Sequence, residues 1–184
     1  MRHPFLLRKE DCLLVVVDIQ TKLWEVMFEK EKILSNVLKL IKAFQILQIP
    51  IIYTEQYPQG MGKTKEEISE LLSGIKPLEK LAFSCMGKDE FRNQIRSFNK
   101  KQIVVSGIEA HICVLQTVLD LLRQDYMVYV PFDAISSRRE GNYKNALERM
   151  GKEGAIIGSV ESAIFECLEV AGTQAFKEIL KIIK

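Results

Sequence analysis

Three side chains in this sequence could together perform nucleophilic catalysis: Asp18, Lys80 and Cys113. Cys113 follows a short apolar run, at the start of a helical pattern. There, unpaired backbone N–H groups and the helix dipole favour a thiolate. The same N–H groups can bind an oxyanion. One strand-to-helix corner would therefore supply a nucleophile and a site for developing negative charge. The alternative is that Cys113 is a small buried residue, as many free cysteines are.

The group that activates this thiol is expected to be a carboxylate or a lysine, because the chain has only two histidines. His3 lies near the N terminus. His111 is two residues from Cys113, so on a helix its ring would point away from the thiol. Asp18 follows the apolar run Leu13–Val17 directly and is the best candidate base. A solvated strand end or a helix cap would explain the same aspartate.

Lys80 is the candidate for the positive partner of this site. It lies within the mostly apolar segment 78–83, which is unusual for a lysine. Near Asp18 and Cys113, its ammonium would stabilise the thiolate and keep the carboxylate ionised. Most lysines are surface residues, and that alternative explains Lys80 taken alone.

Strand and helix patterns alternate along the chain. Strands are predicted at 12–17, 50–54, 78–83, 103–105, 128–130 and 155–157. Helices are predicted at 30–48, 64–73, 91–98, 113–122, 137–150 and 173–184. This alternation predicts one α/β domain over residues 1–184. Its architecture would be a three-layer, doubly wound (Rossmann-like), mainly parallel sheet with helices on both faces.

Ligands of such folds bind beyond the carboxyl ends of the strands. Asp18, the segment 53–57, the corner 108–113 and Phe132 all lie at such ends, so they can converge. Residues 60–64 resemble the end of a phosphate-binding loop. Tyr57 occupies the position of its first required glycine, however, so this motif is rejected. Thr64 with Glu67 is better explained as a capping box, and Ser137 as the cap of a later helix.

Composition excludes several functional classes. The chain is 47% apolar and 27% charged, which is typical of a globular protein. Its formal charge of +2 is too small to produce a strong electrostatic field. Binding to nucleic acid or to an anionic membrane is therefore not expected. The apolar run at 13–17 is too short to span a membrane. The four cysteines are scattered without a CxxC motif, which favours a reducing cytoplasm.

Three motifs carry a resemblance to a known superfamily. They are residues 17–20 (VDIQ), Lys80 ahead of Phe83-Ser84, and residues 107–114 (GIEAHICV). Together they resemble the isochorismatase-like cysteine hydrolases over about residues 10–170. Within this superfamily, residues 54–56, 107–110 and 176–179 look most similar to the uncharacterised isochorismatase domain-containing hydrolases, which are related to nicotinamidases.

The resemblance implies a sheet of about six strands and an Asp18–Lys80–Cys113 catalytic triad. It also implies a cis peptide at Ile108–Glu109, with the backbone N–H groups of Glu109 and Cys113 forming the oxyanion hole. A small, partly planar substrate would be bound by side chains near the strand ends: Gln20, Trp24, Gln56, Tyr57, Phe83, His111 and Phe132. Each aromatic residue in this set could equally belong to the core.

Departures from the family patterns reduce the number of reactions that the sequence suggests. Nicotinamidases bind a metal through an Asp-x-His arrangement after the second strand. Here that position reads Glu55-Gln56-Tyr57, so neither a metal nor another cofactor is expected. True isochorismatases lack the nucleophilic cysteine, so Cys113 favours hydrolysis of a small amide or imide through a covalent thioester. A non-covalent isochorismatase-type hydrolase and a catalytically idle scaffold remain as alternatives.

The expected partners are a small-molecule substrate and further copies of the same chain. The apolar side of the tail, residues 173–184, must be buried somewhere, and members of the superfamily are commonly oligomeric. We therefore expect a homo-oligomer.

Overall fold

The computed structural model describes residues 2–183. Seven strands form one sheet: β1 (Cys12–Val17), β2 (Ile51–Gln56), β3 (Leu78–Lys80), β4 (Gln102–Ile108), β5 (Met127–Pro131), β6 (Ile135–Ser136) and β7 (Ile156–Gly158). The order is β3-β2-β1-β4-β5-β7, and the short β6 pairs with β4. Every pairing between strands is parallel. The predicted α/β architecture is confirmed, with seven strands where about six were expected.

The described helices are α1 (Thr21–Trp24), α2 (Lys30–Ile46), α3 (Pro58–Met61), α4 (Glu66–Leu71), α5 (Asp89–Ser97), α6 (Leu115–Leu122), α7 (Glu140–Lys152), α8 (Val160–Leu168) and α9 (Gln174–Ile183). They form two cores because side chains of a buried strand alternate between the faces of a sheet. Leu14 and Val16 of β1 pack in the core with α2, α8 and α9. Leu13 and Val15 pack in the core with α5, α6 and α7.

Two predicted helix caps are wrong, and both hydroxyls have other partners. α4 begins at Glu66, and Thr64 Oγ1 donates instead to Glu55 Oε1 at 2.7 Å. α7 begins at Glu140, and Ser137 Oγ hydrogen-bonds to His111 Nδ1 at 2.9 Å. A nearby acceptor or donor from another element therefore displaced the local capping interaction in both places.

The C-terminal helices remove the need for a partner subunit to cover the apolar side of the tail. α8, which the sequence analysis did not predict, packs with α2 and α9. Ile179 on α9 is fully buried in the same core. The apolar side of α9 is thus covered within the chain and does not itself require a partner. Lys184, the predicted end of this tail, lies outside the described residues. No helix within residues 2–183 is long and apolar enough to cross a membrane.

Gly107 brings the two central strands together at their carboxyl ends. It pairs with Val17 of β1 and has a φ of +125°, which side chains rarely allow. A Cβ at this position would lie 2.1 Å from the Val17 carbonyl oxygen. Only glycine therefore permits the close approach that places the end of β4 beside Asp18, the residue after Val17.

Candidate active site

A buried ion pair forms the centre of the site. Asp18 follows β1 in the left-handed conformation, with a φ of 51°. Its Oδ2 accepts a hydrogen bond from Lys80 Nζ at 2.7 Å, and its Oδ1 accepts one from Thr54 Oγ1 at 2.7 Å. The side chains of Asp18 and Lys80 are 0% and 1% exposed. Residues from three neighbouring strands thus hold one carboxylate in a fixed orientation.

Lys80 is held by further acceptors from the same region. Its Nζ donates to Gln56 Oε1 at 2.7 Å and to the Phe83 carbonyl oxygen at 2.9 Å. Burial has the largest single effect on the pKa of Lys80 and would lower it. The charge of Asp18, two nearby cysteines and the hydrogen bond to Asp18 together outweigh burial, so the pKa is raised. The ammonium therefore stays charged at neutral pH.

Cys113 lies beside this pair, at one wall of a cleft. It belongs to a π-helical turn, Ala110–Val114, between β4 and α6, where the sequence predicted the first turn of an ordinary helix. Its Sγ is 4.0 Å from Gln56 Oε1. The cleft measures about 230 Å³, and Gln56, Phe83 and Glu109 also line it.

The surroundings of Cys113 favour the protonated form of its thiol. Burial raises its pKa most, and the charge of Asp18 raises it further, while Lys80 partly offsets these effects. The direction of this pKa shift is opposite to the one expected from the sequence. Lys80 lowers the pKa of Cys113, but its effect is smaller than that of burial.

A second thiol lies near the same ion pair, and the sequence analysis gave it no role. Cys85 begins a 3-10 turn, is fully buried, and its Sγ lies 3.9 Å from Thr54 Oγ1. Its backbone N–H donates to Thr117 Oγ1 at 2.9 Å. Burial and the charge of Asp18 raise its pKa to about 11. The only hint in the sequence was its position five residues after Lys80.

A second ion pair, between Glu109 and Arg138, also lines this cleft. Glu109 follows a cis peptide bond at Ile108–Glu109, as the resemblance implied. Its Oε2 accepts hydrogen bonds from the Arg138 backbone N–H at 3.0 Å and from Arg138 Nε at 3.1 Å. Arg138 lines the cleft as well. Nothing in the local sequence singled out Arg138, because its role depends on the distant glutamate.

The predicted substrate-binding residues divide into two groups. Gln56 and Phe83 line the Cys113 cleft, and Tyr57 lines a separate cleft of about 540 Å³ beside Lys80. The others do not line the Cys113 cleft: Gln20, Trp24, His111 and Phe132. The buried Gln20 amide binds the backbone of Gln56 and Gly62, so Gln20 supports the end of β2.

The remaining three residues have other surroundings. Trp24 is buried in the hydrophobic core. His111 is hydrogen-bonded to Ser137 and lies 3.2 Å from the Asn142 amide nitrogen. Phe132 is half-exposed. Among residues 2–183, no group of three or more histidine, cysteine, aspartate or glutamate side chains is arranged to bind a metal ion.

Comparison with known proteins identifies the class to which this fold and site belong. The isochorismatase domain model matches residues 12–162. A secreted isochorismatase effector, Isc1, of Phytophthora sojae is 38% identical, covering 94% of this chain and 84% of the relative. Isochorismatase domain-containing protein 2 of Danio rerio is 34% identical, covering 93% and 86%. The chain belongs to the isochorismatase family of hydrolases.

Solved structures agree with this assignment. The MAR1 ribonuclease of Caenorhabditis elegans superimposes with a TM-score of 0.91 at 34% identity, covering 96% of this chain and 91% of that one. The YcaC gene product of Escherichia coli, an octameric hydrolase of unknown specificity, superimposes with a TM-score of 0.92 at 20% identity. It covers 99% of this chain and 92% of that one. The second likeness concerns the fold alone.

Proposed function

We propose that this protein hydrolyses a small amide or imide by covalent catalysis, with Cys113 as the nucleophile. The observation that carries the proposal is the access of this one thiol. Cys113 is 6% exposed and lines a cleft beside the Asp18–Lys80 pair, whereas the other three cysteines are fully buried. A cleft of about 230 Å³ suits a small substrate.

In the proposed reaction, Asp18 takes the proton from Cys113, and the thiolate attacks the carbonyl carbon of the substrate. The backbone N–H groups of Glu109 and Cys113 stabilise the resulting oxyanion. Asp18 returns the proton to the leaving nitrogen, and ammonia or an amine departs. Water then cleaves the thioester and restores the thiol. Lys80 stabilises the negative charge that moves between Asp18 and Cys113.

Phosphodiester hydrolysis is a second candidate, because the Caenorhabditis elegans protein is named a ribonuclease. Two arginines near the cleft, Arg138 and Arg139, would suit an anionic substrate. We favour the amide because a thiolate with an oxyanion hole is suited to attack on a carbonyl carbon. A non-covalent hydrolase or an idle scaffold would leave the access of Cys113 to the cleft without a role.

We further propose a homo-oligomer. Three large apolar side chains near the clefts are well exposed, namely Tyr57, Leu81 and Phe83, with Leu81 at 76%. A partner subunit would cover them. A monomer mass near 21 kDa by light scattering, at micromolar protein, would contradict this proposal.

The reducing cytoplasm remains our proposed location. All four cysteines are free, including Cys12 and Cys167, whose sulfurs are 3.7 Å apart. The Phytophthora sojae relative is named as secreted, so the location needs a direct test. Recovery of the protein in the cytosolic fraction would support our proposal, and recovery in the medium would contradict it.

The experiment that tests the reaction is a screen of small amides and imides, with ammonia or amine release as the readout. Intact-protein mass spectrometry of rapidly quenched reactions should show an acyl adduct, mapped to Cys113. A parallel assay with RNA should show no Cys113-dependent cleavage. Turnover of an amide without any adduct, unaffected by Cys113→Ala, would contradict the covalent mechanism.

A further inference from the structure

A second cleft adjoins the cleft that contains Cys113, and one side chain contributes to both. The second cleft measures about 400 Å³ and is lined by Val26, Arg138, Arg139 and Asn142. Arg138 also lines the Cys113 cleft. A substrate that extends from Cys113 towards the second cleft must therefore pass this guanidinium.

Arg138 is oriented but remains accessible. Glu109, whose side chain is 4% exposed, binds the backbone N–H and Nε of Arg138. The Arg138 side chain is nevertheless 56% exposed. Among residues 2–183, its hydrogen bonds come from the backbone N–H and Nε and not from the terminal guanidinium nitrogens. One edge of the guanidinium is thus held in place while its terminal donors remain available to a ligand.

The charges around this junction favour an anion. Arg138 and Arg139 carry two positive charges, and Glu109 supplies one negative charge. The next acidic residue, Glu140, is paired with Lys144 at 2.7 Å. One positive charge is therefore left in excess at the second cleft. A guanidinium recognises carboxylate and phosphate groups by paired hydrogen bonds.

We propose that the substrate carries a carboxylate or phosphate group that binds Arg138 at the junction of the two clefts. The scissile amide would lie at Cys113, and Arg139 would add attraction from the second cleft. Arg138 would then determine specificity for anionic amides. This inference rests on the amide hydrolysis proposed above, but it can be tested by binding alone.

The test uses the full chain carrying Cys113→Ala, so that binding is measured without turnover. Three probes of equal chain length are titrated by calorimetry: butyramide, succinamate and 3-phosphonopropionamide. Succinamate or the phosphonate should bind at least about tenfold more tightly than butyramide. The better of the two anions identifies the group, and either result supports the proposal.

Arg138→Gln in the same background should remove most of that preference, a loss of about tenfold, and Arg138→Lys should remove less of it. Arg123→Gln, an exposed residue at the end of α6, is the matched control for the change in net charge and should preserve the preference. Equal melting temperatures would show that each variant is folded. If Arg138→Gln does not fold, Arg138→Lys and the preference of the parent protein still decide the question.

Three results would overturn the proposal. They are equal binding of butyramide and both anions, an anion preference that is undiminished in the Arg138 variants, and binding of a short RNA oligonucleotide with no binding of the three probes. Wild-type turnover is measured separately, so failure of the amidase proposal remains distinguishable from failure of this one.

Discussion

Two thiols flank the same buried ion pair, and their surroundings differ mainly in access. Cys113 Sγ lies 4.0 Å from Gln56 Oε1, and Cys85 Sγ lies 3.9 Å from Thr54 Oγ1. The charges of Asp18 and Lys80 act on both, and burial raises the pKa of both. Of these two thiols, Cys113 borders the cleft, whereas Cys85 is fully buried.

This comparison shows that proximity to charged partners does not identify the nucleophile. Cys85 and Cys113 share the potential base and the potential cation, but only Cys113 can meet a substrate and lies beside the proposed oxyanion donors. Cys85 instead helps to fill the core between the sheet and α5 and α6. The predictions below test this distinction, beginning with the largest expected effect.

Exchanging each thiol for a methyl group should separate the two roles. Cys113→Ala should lower kcat by at least about a thousandfold, because it removes the proposed nucleophile. Cys85→Ala should cost some stability through a small cavity while retaining most turnover. Ammonia release from the best amide of the screen measures both. A larger loss of turnover in Cys85→Ala would reverse our assignment.

Removing the lysine should damage stability as well as activity. Lys80→Met leaves the Asp18 charge buried without its partner, so the free energy of unfolding should fall by about 3–5 kcal/mol in urea titrations. Adding Asp18→Asn should recover part of this loss. Lys144→Met, which breaks an exposed pair with Glu140, is the control and should have little effect. Similar stability in Lys80→Met and Lys144→Met would contradict the buried-pair account.

Thr54→Val should have a smaller effect because the carboxylate keeps its bond to Lys80. The valine preserves the shape of the side chain but removes the donor to Asp18 Oδ1. We expect a loss of about 1–3 kcal/mol in stability and about a tenfold decrease in kcat, with KM little changed. Thr21→Val, on an exposed residue of α1, is a control for the substitution. An unchanged kcat in Thr54→Val would show that Asp18 needs no such orientation.

Removal of metal ions should have no effect. The described residues offer no cluster of metal ligands, and the proposed mechanism uses only Asp18, Lys80, Cys113 and backbone donors. Turnover should therefore survive dialysis against EDTA. Loss of activity that added zinc or iron restores would contradict this prediction.

Much of the fold could be predicted from the sequence because its strands are short, continuous apolar runs. Cys12–Val17 was predicted with its observed bounds for this reason. α8 was missed although its sequence carries a helical signal, because its buried residues 160, 163, 164, 167 and 168 recur at the spacing of one helix face. The caps at Thr64 and Ser137 failed because their competing partners, Glu55 and His111, are not adjacent in the sequence.

The site was predictable only in part for a related reason. Asp18 and Lys80 were distinctive because charged residues are unusual beside or within apolar runs. Arg138 gave no such signal, since its importance depends on Glu109, 29 residues away. The pKa shift expected for Cys113 also had the opposite direction. Its place at a helix start and the nearby positive charge suggested a lowered pKa, but the degree of burial, which raises the pKa, could not be predicted from the sequence.

The central claim, that access makes Cys113 the reactive thiol, is tested most directly by a limiting dose of iodoacetamide followed by peptide mass mapping. Cys113 should be labelled first, and Cys12, Cys85 and Cys167 should remain unlabelled in the folded protein. Because burial raises the pKa of Cys113, its labelling rate should increase about tenfold per pH unit between pH 7 and 9. Labelling of Cys85 as fast as Cys113 would contradict the account.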